Sequence, residues 1–429
     1  MQNQTISFLK KKGIHFAILL AASILLGYLL LVLAYCIPSE KFLMGGANSI
    51  QIFQQEGTYP TILSGYPNSQ LDNYTDGSML NNAIYAGTES PFIKAAACYR
   101  YQYEDQNPME AFISYLWMDE SYSVASCPRY WHGFLIILKP LLTFMNYSDI
   151  RVLNQFFQLL LLGALIWQFA KKQLQQYILP LLLSVFFLMP AAVSMSLQYS
   201  SVYNITLLSA FFLLLFAEKI EENNLYAELF LMTGILTSYF DLLTFPLLSL
   251  GIPLIIAILL KQKKEAQAKE LLLCIIAYSF CWGLGYAGMW AGKWLIAILV
   301  LGAGTFAEVT YAMQMRSLKG ASSDGLSVAA VIQNNIIFFQ KPVYRISFLV
   351  MTACYAIQAL IHKTKPVVFL KKAVPFVLIL LMPFAWYTVT AGHAYVHSWF
   401  THRTLVIGVF AWGCLMAGEL SAQKTCNRN

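Results

Sequence analysis

The chain has 429 residues, of which 58% are hydrophobic and 11% are charged, and its formal net charge is +7. This composition excludes an ordinary soluble globular protein and indicates a polytopic membrane protein. Basic residues of membrane proteins gather mostly on cytoplasmic loops, so membrane orientation explains the positive charge and no nucleic-acid partner is predicted.

The first apolar run follows Lys10, Lys11 and Lys12 and extends from residue 14 to residue 37. It is longer than the core of a signal peptide, which has ~7–15 residues, and it lacks a small-residue cleavage site. We therefore predict an uncleaved membrane anchor with a cytoplasmic N-terminus.

Residues 38–149 form the longest polar segment, which we predict to be the first extracytoplasmic loop. Its last apolar part, 132–145, is too short to span and is predicted to be a juxtamembrane helix. Asp76 comes just before apolar positions at helical spacing that start after Ser78, which predicts a helix entry there. Backbone N–H groups at that position favour an ionised carboxylate, either as a general base or metal ligand or only as a helix cap.

Two cysteines of this loop, Cys98 and Cys127, lie on the predicted outer side, where thiols can be oxidised. A disulfide between them is a hypothesis, because sequence alone does not show whether they approach each other.

A helix needs about 20 mainly apolar residues to cross a membrane. Nine further spans are predicted, at 152–170, 177–196, 203–217, 225–240, 242–260, 270–291, 343–361, 373–390 and 404–419. The segment 292–342 is predicted to be a second extracytoplasmic excursion of interfacial helices. An alternative makes 294–310 a span, which gives eleven spans and an outer C-terminus. The preferred architecture is one all-α integral membrane domain, residues 1–429, with about ten spans and both termini in the cytoplasm.

A group of polar residues lies at the outer end of the last two predicted spans and includes His393, His397 and Arg403. The two histidines are four residues apart and share one helical face, as metal ligands often do. The Glu of a His-Glu-x-x-His motif is missing, however, and no third ligand has a diagnostic position. The alternatives are a phosphate or head-group contact and simple interfacial anchoring. Arg403 begins a span, where a cation needs a partner, and an anionic lipid-linked phosphate would be a suitable one.

Two further charged residues are candidates. Asp241 lies in the outer turn between two predicted spans, where an acid is either functional or merely at the water interface. Lys293 has tryptophans at residues 290 and 294 on either side and is either a phosphate partner or an interfacial anchor.

This arrangement resembles the class C superfamily of glycosyltransferases, which are polytopic enzymes that use polyprenyl-phosphate-linked sugars outside the cytoplasm. The resemblance rests on the early loop acid Asp76, the stretch from Arg129 to Gly133 that leads into Pro140, and the Asp149-Ile150-Arg151 sequence before the second span. It implies that Asp76 is the catalytic base and that Arg403, with Lys293, His393 and His397 in support, holds the leaving polyprenyl phosphate.

The chain departs from the family pattern in two places. Where many members carry paired acids, Asp72 lies four residues before Asp76, and residues 198–202 contain no acid where many members have one. These departures argue against a bound metal, so no cofactor is predicted, and a divalent cation at the outer-loop acids is kept only as an alternative. The acids that could substitute are Asp241, Glu104, Asp105, Asp119 and Glu120.

The sequence therefore predicts a glycosyltransferase of a bacterial plasma membrane. It would transfer a sugar from a polyprenyl-phosphate carrier to a cell-envelope glycan or lipid. A transporter or lipid flippase and a non-catalytic envelope-polymer assembly protein are the alternatives.

Overall fold

The computed structural model describes residues 2–317, 325–361 and 366–426, and residues 318–324 of the predicted second excursion lie outside this part. The described chain is mostly helical, with one two-stranded antiparallel sheet in the first loop. The elements up to residue 142 are α1 (Gln2–Tyr35), α2 (Glu40–Ala47), α3 (Ile50–Glu56), α4 (Asn73–Ile84), α5 (Pro91–Ala97), β1 (Arg100–Gln102), α6 (Pro108–Leu116), β2 (Ser123–Ala125) and α7 (Leu135–Leu142).

The later part of the chain is a series of longer helices joined by short ones. They are α8 (Tyr147–Lys171), α9 (Ile178–Phe187), α10 (Pro190–Met195), α11 (Leu197–Leu215), α12 (Ala217–Glu222), α13 (Tyr226–Phe240), α14 (Leu248–Lys263), α15 (Ala268–Leu301), α16 (Gly304–Arg316), α17 (Val328–Ile336), α18 (Pro342–Ile361), α19 (Pro366–Val389), α20 (Ala391–Val396), α21 (Ser398–Thr401) and α22 (Val406–Cys426). Short 3-10 turns occur at Pro67–Ser69, Gln175–Tyr177, Ile337–Phe339 and His402–Leu405.

Among the described residues, 6 helices are long and apolar enough to cross a membrane. They are Lys12–Tyr35, Tyr147–Lys171, Leu197–Leu215, Ala268–Leu301, Pro342–Ile361 and Ser398–Gly418. The prediction of an all-α membrane protein is confirmed at this level. The ten-span count stays a prediction, because other candidates are short: α13 has 15 residues and α14 has 16.

The predicted span 177–196 is divided into two helices. α9 ends at Phe187, Met189 has a positive φ of 56°, and Pro190 then begins α10. Proline suits the first turn of a helix but cannot continue the preceding one, because it has no N–H to donate. The chain therefore changes direction at this point and leads into the first turn of α11.

The long helix α15 crosses α13 in close contact through two glycines. A Cβ at Gly234 would lie 2.1 Å from the Trp282 carbonyl oxygen, and one at Gly285 would lie 2.2 Å from that of Leu231. Small residues permit this approach between membrane helices. α15 has 34 residues and continues to Leu301, past residue 292, where the second excursion was predicted to begin. Its length, roughly 51 Å at 1.5 Å per residue, exceeds the ~30 Å hydrocarbon core.

The first loop is organised around α4, which begins at Asn73, one turn earlier than the helical spacing predicted. Asp72 is its N-cap, because the Asp72 carboxylate accepts a hydrogen bond from the Thr75 N–H at 2.9 Å. At the other end, the Lys139 ammonium on α7 donates to the Ala83 carbonyl at 2.7 Å. Burial lowers the pKa of Lys139 to about 7. An acid at the start of α4 and a cation at its end both suit the helix dipole.

Candidate functional site

Asp76 connects the first loop to α11. Its fully buried carboxylate accepts hydrogen bonds from the backbone N–H groups of Leu197 at 2.8 Å and Gln198 at 3.0 Å. The Ser196 hydroxyl at 3.1 Å and the Tyr147 hydroxyl also donate to it. The first N–H groups of a helix have no partner within the helix, so Asp76 acts as a cap for α11 supplied by a distant segment.

The protonation of Asp76 is set by opposing effects. Burial raises the pKa of the carboxyl, while the hydrogen bonds from Tyr147 and Gln198 and the positive charge of Arg151 lower it, and the net shift is upward. Four donors occupy an ionised carboxylate that has about four acceptor positions. Asp76 therefore has no free lone pair with which to take a proton from a substrate.

Arg151, the last residue of the Asp149-Ile150-Arg151 sequence, supports the same region. Its guanidinium makes a two-pronged ion pair with Glu56 at 2.7 and 3.0 Å and also donates to Asn73 at 2.9 Å and to Tyr147 at 3.0 Å. Asp149 caps α8 together with Asn146. This motif thus holds α3 and α4 against α8.

Asp72 lies near Asp76 but is less fully bonded. Two of its donors belong to one residue, the Thr75 N–H at 2.9 Å and the Thr75 hydroxyl at 3.1 Å, and the third is the Trp399 indole N–H at 3.4 Å. Burial raises the pKa of Asp72 to about 6, and the negative charge of Asp76 adds to this shift. An acid with such a pKa is ionised near neutral pH and is still basic enough to accept a proton.

Aromatic rings surround the outer side of Asp72. The Tyr59 ring is stacked on Tyr74, with centroids 6.1 Å apart, and meets the Trp399 ring edge-on at 5.7 Å. Both tyrosines are exposed, whereas Asp72 is 1% exposed. The carboxylate is thus at the base of an aromatic surface that faces outward.

Arg403 is fully buried and bonded to backbone oxygens. It donates to the Leu188 carbonyl at 3.2 Å, the Trp399 carbonyl at 2.9 Å and the Asn68 carbonyl at 2.9 Å, and its guanidinium lies 4.2 Å from the Tyr199 ring centroid. It joins the first loop, the break before α10 and the turn before α22. These contacts tie the three segments together, and the role of Arg403 as the phosphate partner stays a prediction.

The two candidate histidines are in contact with each other and with Trp399. The ring centroids of His393 and His397 are 4.6 Å apart, and that of His397 lies 5.0 Å from Trp399. Burial drives the pKa of His393 well below its usual range and lowers that of His397 to about 4. Both imidazoles are therefore neutral at physiological pH and lack the positive charge that attracts a phosphate.

Asp241 is joined to the histidines through the backbone. Its carboxylate accepts from the Thr244 N–H at 3.0 Å and the Thr244 hydroxyl at 2.6 Å, and burial raises its pKa to about 6. The Leu243 carbonyl in this turn accepts a hydrogen bond from His393 Nε2 at 2.6 Å. Asp241 thus shapes a turn whose carbonyl holds His393.

Lys293 is bonded elsewhere. Its buried ammonium donates to the Ala95 carbonyl at 2.9 Å and the Ala96 carbonyl at 2.7 Å, and it lies 3.7 Å from the Cys98 sulfur. Lys293 therefore caps the end of α5 in the way that lysine commonly does. Its bonds within the described chain do not connect it to Asp72 or Arg403. Cys98 and Cys127 are free thiols in the structure.

Arg316, which the sequence did not single out, lies beside the histidines. Its charge lowers the pKa of both, and a Cβ at Gly392 would lie 2.4 Å from the Met315 carbonyl, so the end of α16 packs directly on α20. One guanidinium nitrogen donates to the Ala312 carbonyl at 2.8 Å, while the buried Nε has no partner among the described residues. No sequence motif connects residue 316 with residue 393, so only the fold reveals this neighbour.

The structure thus brings an acid, two neutral imidazoles and a cation into one row. We call Asp72, Trp399, His397, His393 and Arg316 the seam cluster, because they lie where the first loop meets the segment 393–403. An open pocket of about 580 Å³ lies elsewhere, at the opposite end of α14, and is lined by Glu221, Lys261 and their neighbours. Within the described residues no three His, Cys, Asp or Glu side chains are grouped so that they could hold a metal ion.

The chain matches no protein-family model, no curated protein and no solved structure to which it was compared. The seam cluster itself therefore carries the functional argument.

Proposed function

We propose that the chain is a membrane glycosyltransferase of the class C type with about ten spans and cytoplasmic termini. It transfers a sugar from a polyprenyl-phosphate carrier to a cell-envelope glycan or lipid on the outer side of a bacterial plasma membrane. The observation that carries the proposal is the seam cluster. In it the Trp399 indole donates to Asp72 at 3.4 Å, the His397 ring centroid lies 5.0 Å from that of Trp399 and 4.6 Å from that of His393, and the helix end that carries Arg316 packs on α20.

The proposed reaction is a single displacement. Asp72 takes the proton from the acceptor hydroxyl while the acceptor oxygen attacks the anomeric carbon, and the bond from that carbon to the carrier phosphate breaks. The phosphate leaves with the bonding electrons, and the Arg316 guanidinium stabilises its charge. A single displacement of this kind inverts the anomeric configuration.

Two features support Asp72 rather than Asp76 in the role of base. Asp76 has four hydrogen-bond donors from four different residues, whereas Asp72 has three, of which two belong to Thr75. Asp72 also lies next to the aromatic group of Tyr59, Tyr74 and Trp399. A carboxylate in such a position can act as a general base toward an acceptor hydroxyl. The prediction that Asp76 is the base stays a prediction that the same experiment tests.

The experiment compares Asp72→Asn, Asp76→Asn and Asp119→Asn in cells that lack the native copy. Asp119 is a matched control, because it is an exposed acid of the same loop whose carboxylate accepts hydrogen bonds only from Ser121 within the described chain. We expect Asp72→Asn to be made and folded and to reduce glycosylation of the envelope about 100-fold or more, the usual range for loss of a general base. Normal glycosylation by folded Asp72→Asn contradicts the assignment of Asp72 as the base. Loss of glycosylation in folded Asp76→Asn alone then favours Asp76 as the base, and normal glycosylation in both variants favours a flippase or an assembly protein.

A further inference from the structure

The tautomer of His393 is fixed by its surroundings. Its Nε2 lies 2.6 Å from the Leu243 carbonyl oxygen, which can only accept a hydrogen bond. The hydrogen therefore resides on Nε2, and Nδ1 presents a lone pair. The Leu243 carbonyl is itself held in place, because Leu243 has a positive φ of 67° in the turn that the two bonds from Thr244 to Asp241 close.

The Nδ1 lone pair of His393 has no donor within the described part of the chain, although the side chain is only 7% exposed. Nδ1 of the neighbouring His397 also lacks a partner there. A buried acceptor without a donor is costly, so such groups in folded proteins nearly always find a partner. Burial and the nearby charge of Arg316 depress the pKa of His393, so the ring stays neutral and Nδ1 keeps its lone pair.

The chemistry of the missing partner follows from the lone pair. A carrier phosphate at neutral pH offers oxygens that are acceptors themselves and would be repelled by Nδ1. A sugar hydroxyl can donate. We infer that His393 accepts a hydrogen bond from a hydroxyl of the sugar being transferred, so that the histidines recognise the sugar and the phosphate lies toward Arg316.

This inference rests on the proposed function and reverses the phosphate role that the sequence suggested for the histidines. It also gives Asp241 a role as a positioning residue, because the Asp241 turn aims the Leu243 carbonyl that fixes the tautomer.

The test uses two substitutions that separate the ring nitrogens. In His393→Asn the side-chain oxygen can occupy the place of Nδ1, whereas in His393→Gln the amide reaches the place of Nε2. Binding of two probes to the full-length protein in nanodiscs is measured: a polyprenyl monophosphate, and the same carrier bearing a glucosyl, galactosyl or N-acetylglucosaminyl group.

For His393→Gln we expect affinity for the best sugar-bearing carrier to fall roughly 10-fold, as for one lost hydrogen bond, with affinity for the bare carrier unchanged. His393→Asn retains most of the affinity. If His393→Gln weakens the affinity for both carriers equally, His393 contacts the phosphate. If His393→Gln retains the affinity for the sugar-bearing carrier and His393→Asn loses it, only the hydrogen bond to Leu243 matters. If neither variant changes the affinity, an internal water satisfies Nδ1. Each of these outcomes overturns the inference.

If the wild-type protein binds neither carrier, the proposed function fails. The inference is then tested separately by measuring how far methyl α-D-glucopyranoside and inorganic phosphate each raise the melting temperature of the protein. We expect the glucoside to stabilise the wild-type protein but not His393→Gln. Stabilisation by phosphate alone refutes the hydroxyl contact of His393.

Discussion

Replacing Asp76 with alanine is expected to destabilise the protein strongly, because Asp76 holds the first loop on α11. The substitution leaves the Leu197 and Gln198 N–H groups and two hydroxyls without their shared acceptor. Hydrogen bonds to a charged group each contribute about 1.5–3 kcal/mol, but those of one network do not add fully. We expect the free energy of unfolding to fall by about 3–5 kcal/mol, near the upper end for single substitutions.

Asp76→Asn should lower the free energy of unfolding by less, about 1–3 kcal/mol. The amide oxygen of asparagine still accepts hydrogen bonds, whereas its NH₂ group faces a former donor. The assay is reversible unfolding by sodium dodecyl sulfate in mixed micelles, followed by tryptophan fluorescence, with Asp119→Ala as the exposed control. If Asp76→Ala unfolds at the same detergent fraction as Asp119→Ala, the capping role is refuted. A stable but inactive Asp76→Asn would instead favour Asp76 as the catalytic base.

The remaining predictions concern pH and the phosphate. The pKa of Asp72 in the folded chain, about 6, lies above its ordinary value of 3.8, so the folded chain holds this proton more tightly than the unfolded chain. The contribution of Asp72 to the free energy of unfolding therefore falls as pH rises from about 4 to about 6. Asp72→Asn should flatten that decline, as measured by unfolding at a series of pH values. Transfer activity should change in the opposite direction, rising as pH passes through about 6 because the reaction needs the carboxylate, and a profile flat from pH 5 to 8 would contradict this. Arg316→Gln should weaken binding of a polyprenyl monophosphate roughly 10-fold or more. The control Arg345→Gln, which removes an exposed cation of α18, should leave that affinity unchanged. If the two variants bind the monophosphate equally well, Arg316 is not part of the phosphate site.

Long apolar runs made much of the architecture predictable. The first span and the second correspond to α1 and α8, because membrane helices need length and apolarity that a sequence displays directly. The division of 177–196 was missed although Pro190 was visible, because apolar length alone does not distinguish a straight helix from two helices that meet at a proline.

Site residues were predictable by kind but less so by role. The sequence singled out Asp72 in the first loop and the histidines near the C-terminal end, and the Trp399 bond to Asp72 brings these two segments together. The roles depend on partners far away in sequence: Asp76 caps a helix 121 residues later, and Lys293 caps one 198 residues earlier. Local spacing carries no information about such pairs. For the same reason the sequence does not predict that Arg316 lies near His393.

The bonds of Arg403 have a consequence for how the protein is made. Asn68, whose carbonyl Arg403 binds, leaves the ribosome 335 residues before its partner. At about 5–20 residues per second, translation takes roughly 17–67 s to cover that distance. For that interval the carbonyl of Asn68 and the Asp72 carboxylate lack the partners that the later turn supplies. The nascent loop is thus a substrate for quality control until the last helix inserts, and a chain truncated before residue 403 should be degraded rather than accumulate as an inactive protein.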